Sequence, residues 1–380
     1  MKKIVVFSSK GGGGHTAVAK ALQEYLDSTY QIEVANIFTD VLAPLDWLQS
    51  VTFGKASSEV VYNFCIARKW YSFLNRYSMA GSWYFQLLRA QTERLINAYL
   101  DEQKPDLIIS VIPLVNNIIL DIAQKRNIPF LLIPTDLDIS IFIKNIQNPD
   151  YLNFKIALAF EDETTQKKLT QAKIPEHAGV TTGFVLRADF FEHKEKKQIK
   201  SFYAIPPDKP VILLLLGAEG SQAICAFAQQ LTLITCPVHI LVCIGKQQHL
   251  KACVEAISFP SHISFSVIEF TDHISDLMAI TDLFISKSGS VSVNEAVYMN
   301  VPMILDATSD VLKWEKYNHE FITENKFGSS IAEFEKLPGL ITQLLTNRVE
   351  LDAYKQNLTL FDKKHGGHQI KKMIENILNS

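Results

Sequence analysis

A strand–helix alternation that runs through the first part of the chain, breaks once and then restarts is the strongest constraint on its fold. Ile4–Phe7, Leu107–Val111, Phe130–Ile133 and Ile156–Phe160 are short apolar runs closed by glycine, proline or a polar residue. Helical patterns follow at Thr16–Leu26 and Val115–Lys125, and a polar stretch follows at Glu161–Ala172. Runs apolar at every position suit strands buried on both faces, which is the condition of a parallel sheet flanked by helices. Leu186–Pro210 differs: it carries Glu192, Lys194, Glu195, Lys196, Lys197 and Lys200, then Pro206-Pro207, and reads as a connection with one short helix. The alternation resumes with Val211–Leu216, His239–Ile244, Ser264–Ile268, Leu283–Ile285 and Met303–Leu305. The expectation is an α/β protein of two Rossmann-like domains facing a cleft, 1–190 and 191–359, with a helix in 360–380 returning to the first. A chain of 380 residues, 47% hydrophobic, is long enough to build a core in each.

Bulk properties exclude several classes. A net charge of −3 gives no electrostatic footprint for nucleic acid. Cys65, Cys225, Cys236, Cys243 and Cys253 are odd in number and lack Cys-x-x-Cys spacing, so they read as buried thiols in a reducing compartment. Ile4–Phe7 is too short for a secretion signal, and no run approaches the roughly 18 apolar residues of a spanning helix. A cytoplasmic protein follows, either free or lying on the inner face of a membrane.

The first strand opens into Ser8-Ser9-Lys10-Gly11-Gly12-Gly13-Gly14-His15-Thr16. Consecutive glycines permit close backbone approach, and the helix start beyond them offers N–H groups to an anion or polar head. The run parallels a nucleotide P-loop up to its lysine, where His15 stands; histidine is shorter and mostly neutral near pH 7. No Gly-x-Gly-x-x-Gly spacing completes a dinucleotide fingerprint. His15 is the candidate general base. A second strand–turn–helix signal lies at Ile285–Ala296, where the turn Lys287-Ser288-Gly289-Ser290 offers amides to a diphosphate and Glu295 sits one turn into the helix, in reach of ribose hydroxyls.

These segments together resemble the monogalactosyldiacylglycerol synthase and diacylglycerol glucosyltransferase family, and more distantly the enzyme that adds N-acetylglucosamine to lipid I. The resemblance runs from about residue 3 to 335. It is carried by Gly12–His15, Thr135-Asp136, the Thr182-Gly183…Arg187 motif, the turn Phe270–Met278, the loop Ser286–Ala296, and Glu315 with Asn318. It implies the GT-B fold, with the acceptor on the first domain and a UDP-sugar mainly on the second. The implied reaction is inverting transfer of a hexose to a membrane lipid such as diacylglycerol. His15, or alternatively Asp136, would take the acceptor proton. Gly13, Gly14, Gly217, Phe270, Ile274, Ser288, Gly289, Ser290, Val291, Glu295, Glu315 and Asn318 would bind substrate, uracil lying at Phe270–Met278. No cofactor or metal is implied beyond the UDP-sugar donor, although Asp136-x-Asp138 has the form of an Asp-x-Asp metal motif.

Departures from the pattern are local. The diphosphate loop reads Lys-Ser-Gly-Ser in place of Lys-Pro-Gly-Gly, the turn after Leu216 is reduced to Gly217-Ala218-Glu219-Gly220, and Trp314 stands where the family has a sugar-reading glutamine. The sugar is left open. Leu137–Phe142 replaces the His and Trp that usually follow Thr-Asp, which leaves the acceptor open as well. Rival readings are a non-catalytic relative binding nucleotide or lipid, a UDP-sugar epimerase, and a P-loop ATPase. Finally, no acidic residue occurs between Glu59 and Glu93, a stretch holding Arg68, Lys69, Arg76 and Arg89 among many aromatics. Part of 47–88 is therefore expected to rest on an anionic membrane.

Overall fold

The fully apolar runs become the inner strands of two parallel sheets. A computed structural model describes residues 1–52, 56–218 and 220–379, so Glu219 of the reduced turn and positions 53–55 of the aromatic stretch lie outside the described residues. The first sheet contains β1 (Lys3–Ser8), β2 (Gln31–Asn36), β3 (Leu107–Ser110), β4 (Phe130–Leu132), β5 (Phe154–Leu158) and β6 (Gly179–Thr181). Its order is β2-β1-β3-β4-β5-β6. The second contains β7 (Val211–Leu215), β8 (Val238–Gly245), β9 (Ile263–Glu269), β10 (Leu283–Ser286), β11 (Met303–Asp306) and β12 (Gly328–Ile331), in the order β12-β11-β10-β7-β8-β9. Every residue of β3, β4, β7, β8, β10 and β11 is buried.

The chain divides into two units. One comprises Met1–Phe64, Phe73–Ala188 and Asp362–Ser380; the other comprises Cys65–Ser72 and Asp189–Phe361. In the first unit the C-terminal helix Gly366–Asn379 packs on the helix Gly14–Leu26, and Lys364 Nζ donates to the Thr181 carbonyl at 3.2 Å. The connection after Ala188 holds one short helix, Lys196–Phe202. Placement of 65–72 with the second unit, apart from the residues on either side of it, is a contact no local pattern announces.

Two expectations are corrected here. Strand β5 begins at Phe154 and ends at Leu158, two residues before the expected position. Lys155 interrupts its apolar run in sequence, but it is half-buried in the strand and its Nζ donates to the His177 carbonyl. Cys225 and Cys253 are joined as a disulfide between the helices Ala223–Leu231 and His249–Glu255, so only Cys65, Cys236 and Cys243 are buried thiols. Packing of those two helices brings together residues separated by 28 positions. Among the described residues, no helix is long and apolar enough to cross a membrane.

Candidate functional site

Strand order locates a crevice in each sheet. In the first, β2 lies on one side of β1 and β3 on the other, so the connections leaving β1 and β3 diverge beyond their carboxyl ends. The glycine loop and His15 occupy that point. Gly12 and Gly13 have φ of 71° and 85°, in the left-handed region that favours glycine, and Gly13 caps the helix Gly14–Leu26. A Cβ at Gly13 would meet nothing within 4 Å, so the backbone there borders open space.

His15 is half-buried. Its Nδ1 lies 2.8 Å from the Val111 carbonyl oxygen and 2.8 Å from Thr135 Oγ1. A carbonyl oxygen only accepts, so the proton resides on Nδ1 and Nε2 carries the lone pair. Desolvation pushes the imidazole down to about 4, opposed by the bond to Val111. The ring is therefore neutral at physiological pH. Val111 is held by the loop after β3: Ser110 Oγ donates to Asn116 Oδ1 at 2.6 Å, and Asn116 Nδ2 donates to the Ile112 and Phe142 carbonyls. Leu114 in this loop has φ 80°, a conformation costing a bulky side chain about 1–3 kcal/mol and clustering at functional sites.

The glycine loop does not present all its amides to a ligand, as its composition suggests. Glu59 Oε1 accepts from the Lys10 N–H at 2.7 Å, and Asn63 Oδ1 accepts from the Gly12 N–H at 2.8 Å. Both belong to the helix Ser58–Ala67. Ser9 Oγ lies 3.4 Å from the Gly11 nitrogen. Asp136 follows Thr135 and is half-buried. Asp138, the other half of the Asp-x-Asp pattern, caps the turn at Ile139 by accepting from the Ser140 N–H and pairs with Lys168 Nζ at 2.9 Å, which engages it in structure.

In the second sheet the divergence lies between β7 and β10. Beyond them come Gly217 and the turn Lys287–Gly289. Gly217 has φ 98°, and a Cβ there would stand 2.9 Å from Lys287 Cε, so Lys287 passes across it. The helix Ser290–Tyr298 begins at Gly289, which has no side chain with which to cap it, and a helix start concentrates backbone N–H groups. The turn is held from behind: buried Asn318 donates through Nδ2 to the Ser288 carbonyl at 2.5 Å and to Ser290 Oγ at 2.9 Å. Glu315, 7% exposed, receives Ser288 Oγ at 3.5 Å and faces Lys287 Nζ at 3.8 Å. Val291 and Glu295 are half-buried on the same helix. Phe270 is 50% exposed beyond β9, with Lys246 Nζ 5.6 Å from its ring centroid, and Ile274 begins the helix Ile274–Ala279. Trp314 is buried beside Glu315.

The segment 65–72 adds groups to this unit that sequence reasoning missed. Lys69 Nζ pairs with the buried Asp306 at 2.5 Å, at the end of β11, and lies 5.6 Å from the Phe227 ring centroid. Tyr71 is buried; desolvation, then Glu315 and Asp306, push its phenol strongly upward. Lys69 therefore serves the protein interior instead of a lipid headgroup. Arg89 is likewise engaged, by Glu93 at 2.8 Å and by Asp121. Arg68 and Arg76 are exposed, together with Trp47, Val51, Val60, Phe64, Trp70, Phe73, Trp83 and Leu87. Other aromatics of the stretch are inside: the Tyr84 hydroxyl donates to the Leu45 carbonyl, and Phe85 packs on Phe38.

Known proteins share this construction. Residues 15–153 match the monogalactosyldiacylglycerol (MGDG) synthase family model, and 211–377 match the glycosyltransferase family 28 C-terminal domain. The processive diacylglycerol beta-glucosyltransferase of Bacillus pumilus is 24% identical, over 97% of this chain and 93% of its own. The protein of that name in Bacillus subtilis is 25% identical, over 94% of this chain and 90% of its own. The crystal structure of Acinetobacter baumannii MurG superposes with a TM-score of 0.60 at 14% identity, covering 99% of this chain and 100% of that one. The fold is GT-B.

Proposed function

The chain belongs to the monogalactosyldiacylglycerol synthase and diacylglycerol glucosyltransferase family, and on that premise we propose that it moves a hexose, with inversion, from a UDP-linked donor to the hydroxyl of a membrane lipid such as diacylglycerol. The observation that carries this reading is the fixed tautomer of His15. With Nδ1–H committed to the Val111 carbonyl, Nε2 is the basic atom at the crevice of the first sheet.

In the proposed reaction the acceptor oxygen attacks the anomeric carbon and its proton passes to His15 Nε2, while the bond from that carbon to the UDP oxygen breaks and its electron pair leaves with UDP. A base as weak as His15 suffices, because the hydroxyl becomes strongly acidic once its oxygen has begun to bond to carbon. Asp136 is the alternative proton acceptor. In the second unit the helix start at Ser290 and Val291, beside Ser288 and Gly289, receives the leaving diphosphate, stabilising charge where it develops. Lys287 and Gly217 border that position. Glu295 takes the ribose hydroxyls, Phe270 and Ile274 the uracil, and Glu315 with Asn318 the donor sugar. On the acceptor side, Gly13 and Gly14 admit the lipid headgroup. Part of 47–88 rests on the inner face of an anionic cytoplasmic membrane through its exposed aromatic side chains with Arg68 and Arg76.

The test is direct. The protein is incubated with UDP-glucose, UDP-galactose or UDP-N-acetylglucosamine and with dioleoylglycerol in phosphatidylglycerol vesicles, and lipid extracts are read by mass spectrometry. A glycolipid with stoichiometric UDP release is expected. Failure of every pair, with no affinity for UDP by calorimetry, overturns the reading.

A further inference from the structure

We infer that Glu59 and Asn63, with Asn36 behind them, are positioning residues that hold the His15 loop in its working shape. The inference rests on the proposed role of His15 and concerns residues outside the substrate-binding set. Four successive glycines are the least ordered stretch a chain can carry, and fixing each backbone costs about 1–2 kcal/mol or more. Something outside the loop must supply that order, and the helix Ser58–Ala67 does so with one face.

The bonds form a closed set. Glu59 uses both carboxylate oxygens, one accepting from the Lys10 N–H and the other from Asn36 Nδ2, each at 2.7 Å. Asn63 accepts from the Gly12 N–H at 2.8 Å and donates from Nδ2 to the Lys10 carbonyl at 3.0 Å. Asn36 cannot turn over, because its Oδ1 accepts from the Phe38 and Thr39 N–H groups at 3.1 and 3.4 Å. The Tyr62 ring closes the gap, 3.4 Å from where a Cβ on Gly11 would stand. Beyond the loop, Thr16 Oγ1 donates to the Ser9 carbonyl at 3.0 Å, so loop and helix start move together with His15 between them. Val60 and Phe64, one position on from Glu59 and Asn63 along the same helix, are 58% and 47% exposed.

This polarity pattern supplies the experiment. Glu59→Gln keeps the volume but faces an amide nitrogen toward either the Lys10 N–H or Asn36 Nδ2, donor against donor. Asn36→Asp in the same chain reverses the second partner: one new oxygen accepts from the amide at 59 while the other still caps Phe38 and Thr39. Measured in the full-length protein with the donors and vesicles above, E59Q is expected to lower turnover about 10- to 100-fold, with UDP affinity by calorimetry and the thermal midpoint essentially unchanged. N36D/E59Q is expected to recover to within about threefold of the parent. Asn63→Ala is the second variant and is expected to lower turnover in the same way. Amide hydrogen exchange reads the loop independently of activity: Lys10 and Gly12 exchange slowly in the parent, faster in E59Q, and slowly again in N36D/E59Q. Parental turnover and exchange in E59Q, or a double variant no better than the single, overturns the inference. If the parent transfers no sugar from any donor, the proposed function fails, while the exchange pattern still decides whether these residues order the loop.

Discussion

His15 shows how one backbone contact turns an ordinary side chain into a candidate base. The Val111 carbonyl selects the tautomer, and burial keeps the ring neutral down to about pH 4. Two consequences follow for the rate. His15→Ala should lower turnover about 10²-fold or more while UDP affinity, measured by calorimetry, stays at the parental value. In the parent, the acid limb of kcat/KM should fall near pH 4 and not near the ordinary imidazole value of about 6.5, because protonation removes the lone pair only there. Full activity in the alanine variant would remove His15 from the chemistry. At this scale the sequence was partly legible. A histidine closing a glycine run at a strand–helix junction announces itself. Its partners do not: Val111 is one more apolar residue in a strand-like run, and Glu59 and Asn63 meet the loop only through tertiary packing. The one trace they leave is their spacing of four, which puts both on one helix face at the edge of a stretch without other acids.

Among elements, the inner strands were legible because burial on both faces demands an unbroken apolar run. The strands that were not legible are β2, β6 and β12, all at sheet edges. An edge is paired on one side only and tolerates polar residues, as in Gln31 and Glu33 of β2 or Ser329 and Ser330 of β12. The stretch from Trp47 to Arg89 was legible as aromatic and basic, but not in which members face outward. The structure divides them: Tyr71, Lys69 and Arg89 are engaged internally, whereas Trp70 and Arg68 are exposed. Vesicle flotation tests the outward set. The parent should float better with anionic than with neutral vesicles, and Arg68→Glu with Trp70→Ala should abolish that difference. Equal recovery with both lipids, unaffected by the substitutions, would count against membrane contact here.

For the molecule as a whole, histidines withdrawn from solvent contribute to the response to acid. His239 lies between Ser264 and Ser266 in the second unit, and desolvation, then Lys209 and Lys200, lower it to about 4, the value reached by His15 in the first. Burial lowers His319 and His365 as well. Each folded-state value lies below the unfolded one of about 6.5, so the unfolded chain binds more protons between them. The stability that these rings contribute is therefore present in full above about pH 6.5 and is lost as the pH falls toward 4. The thermal midpoint should drop steadily across that window, and His239→Asn should make the decline shallower. A midpoint flat from pH 6.5 to 4 would contradict the burial of these rings.

The chain leaves its first unit after Phe64, returns after Ser72, departs again after Ala188 and comes back after Phe361. No single cut in the gene therefore liberates either half intact. A fragment beginning at Asp189 would keep Asp306 in its interior but lose the ammonium of Lys69, and a buried carboxylate stripped of its partner costs about 3–5 kcal/mol. Whoever grafts this half onto a new neighbour must carry the detached stretch 65–72 along with it.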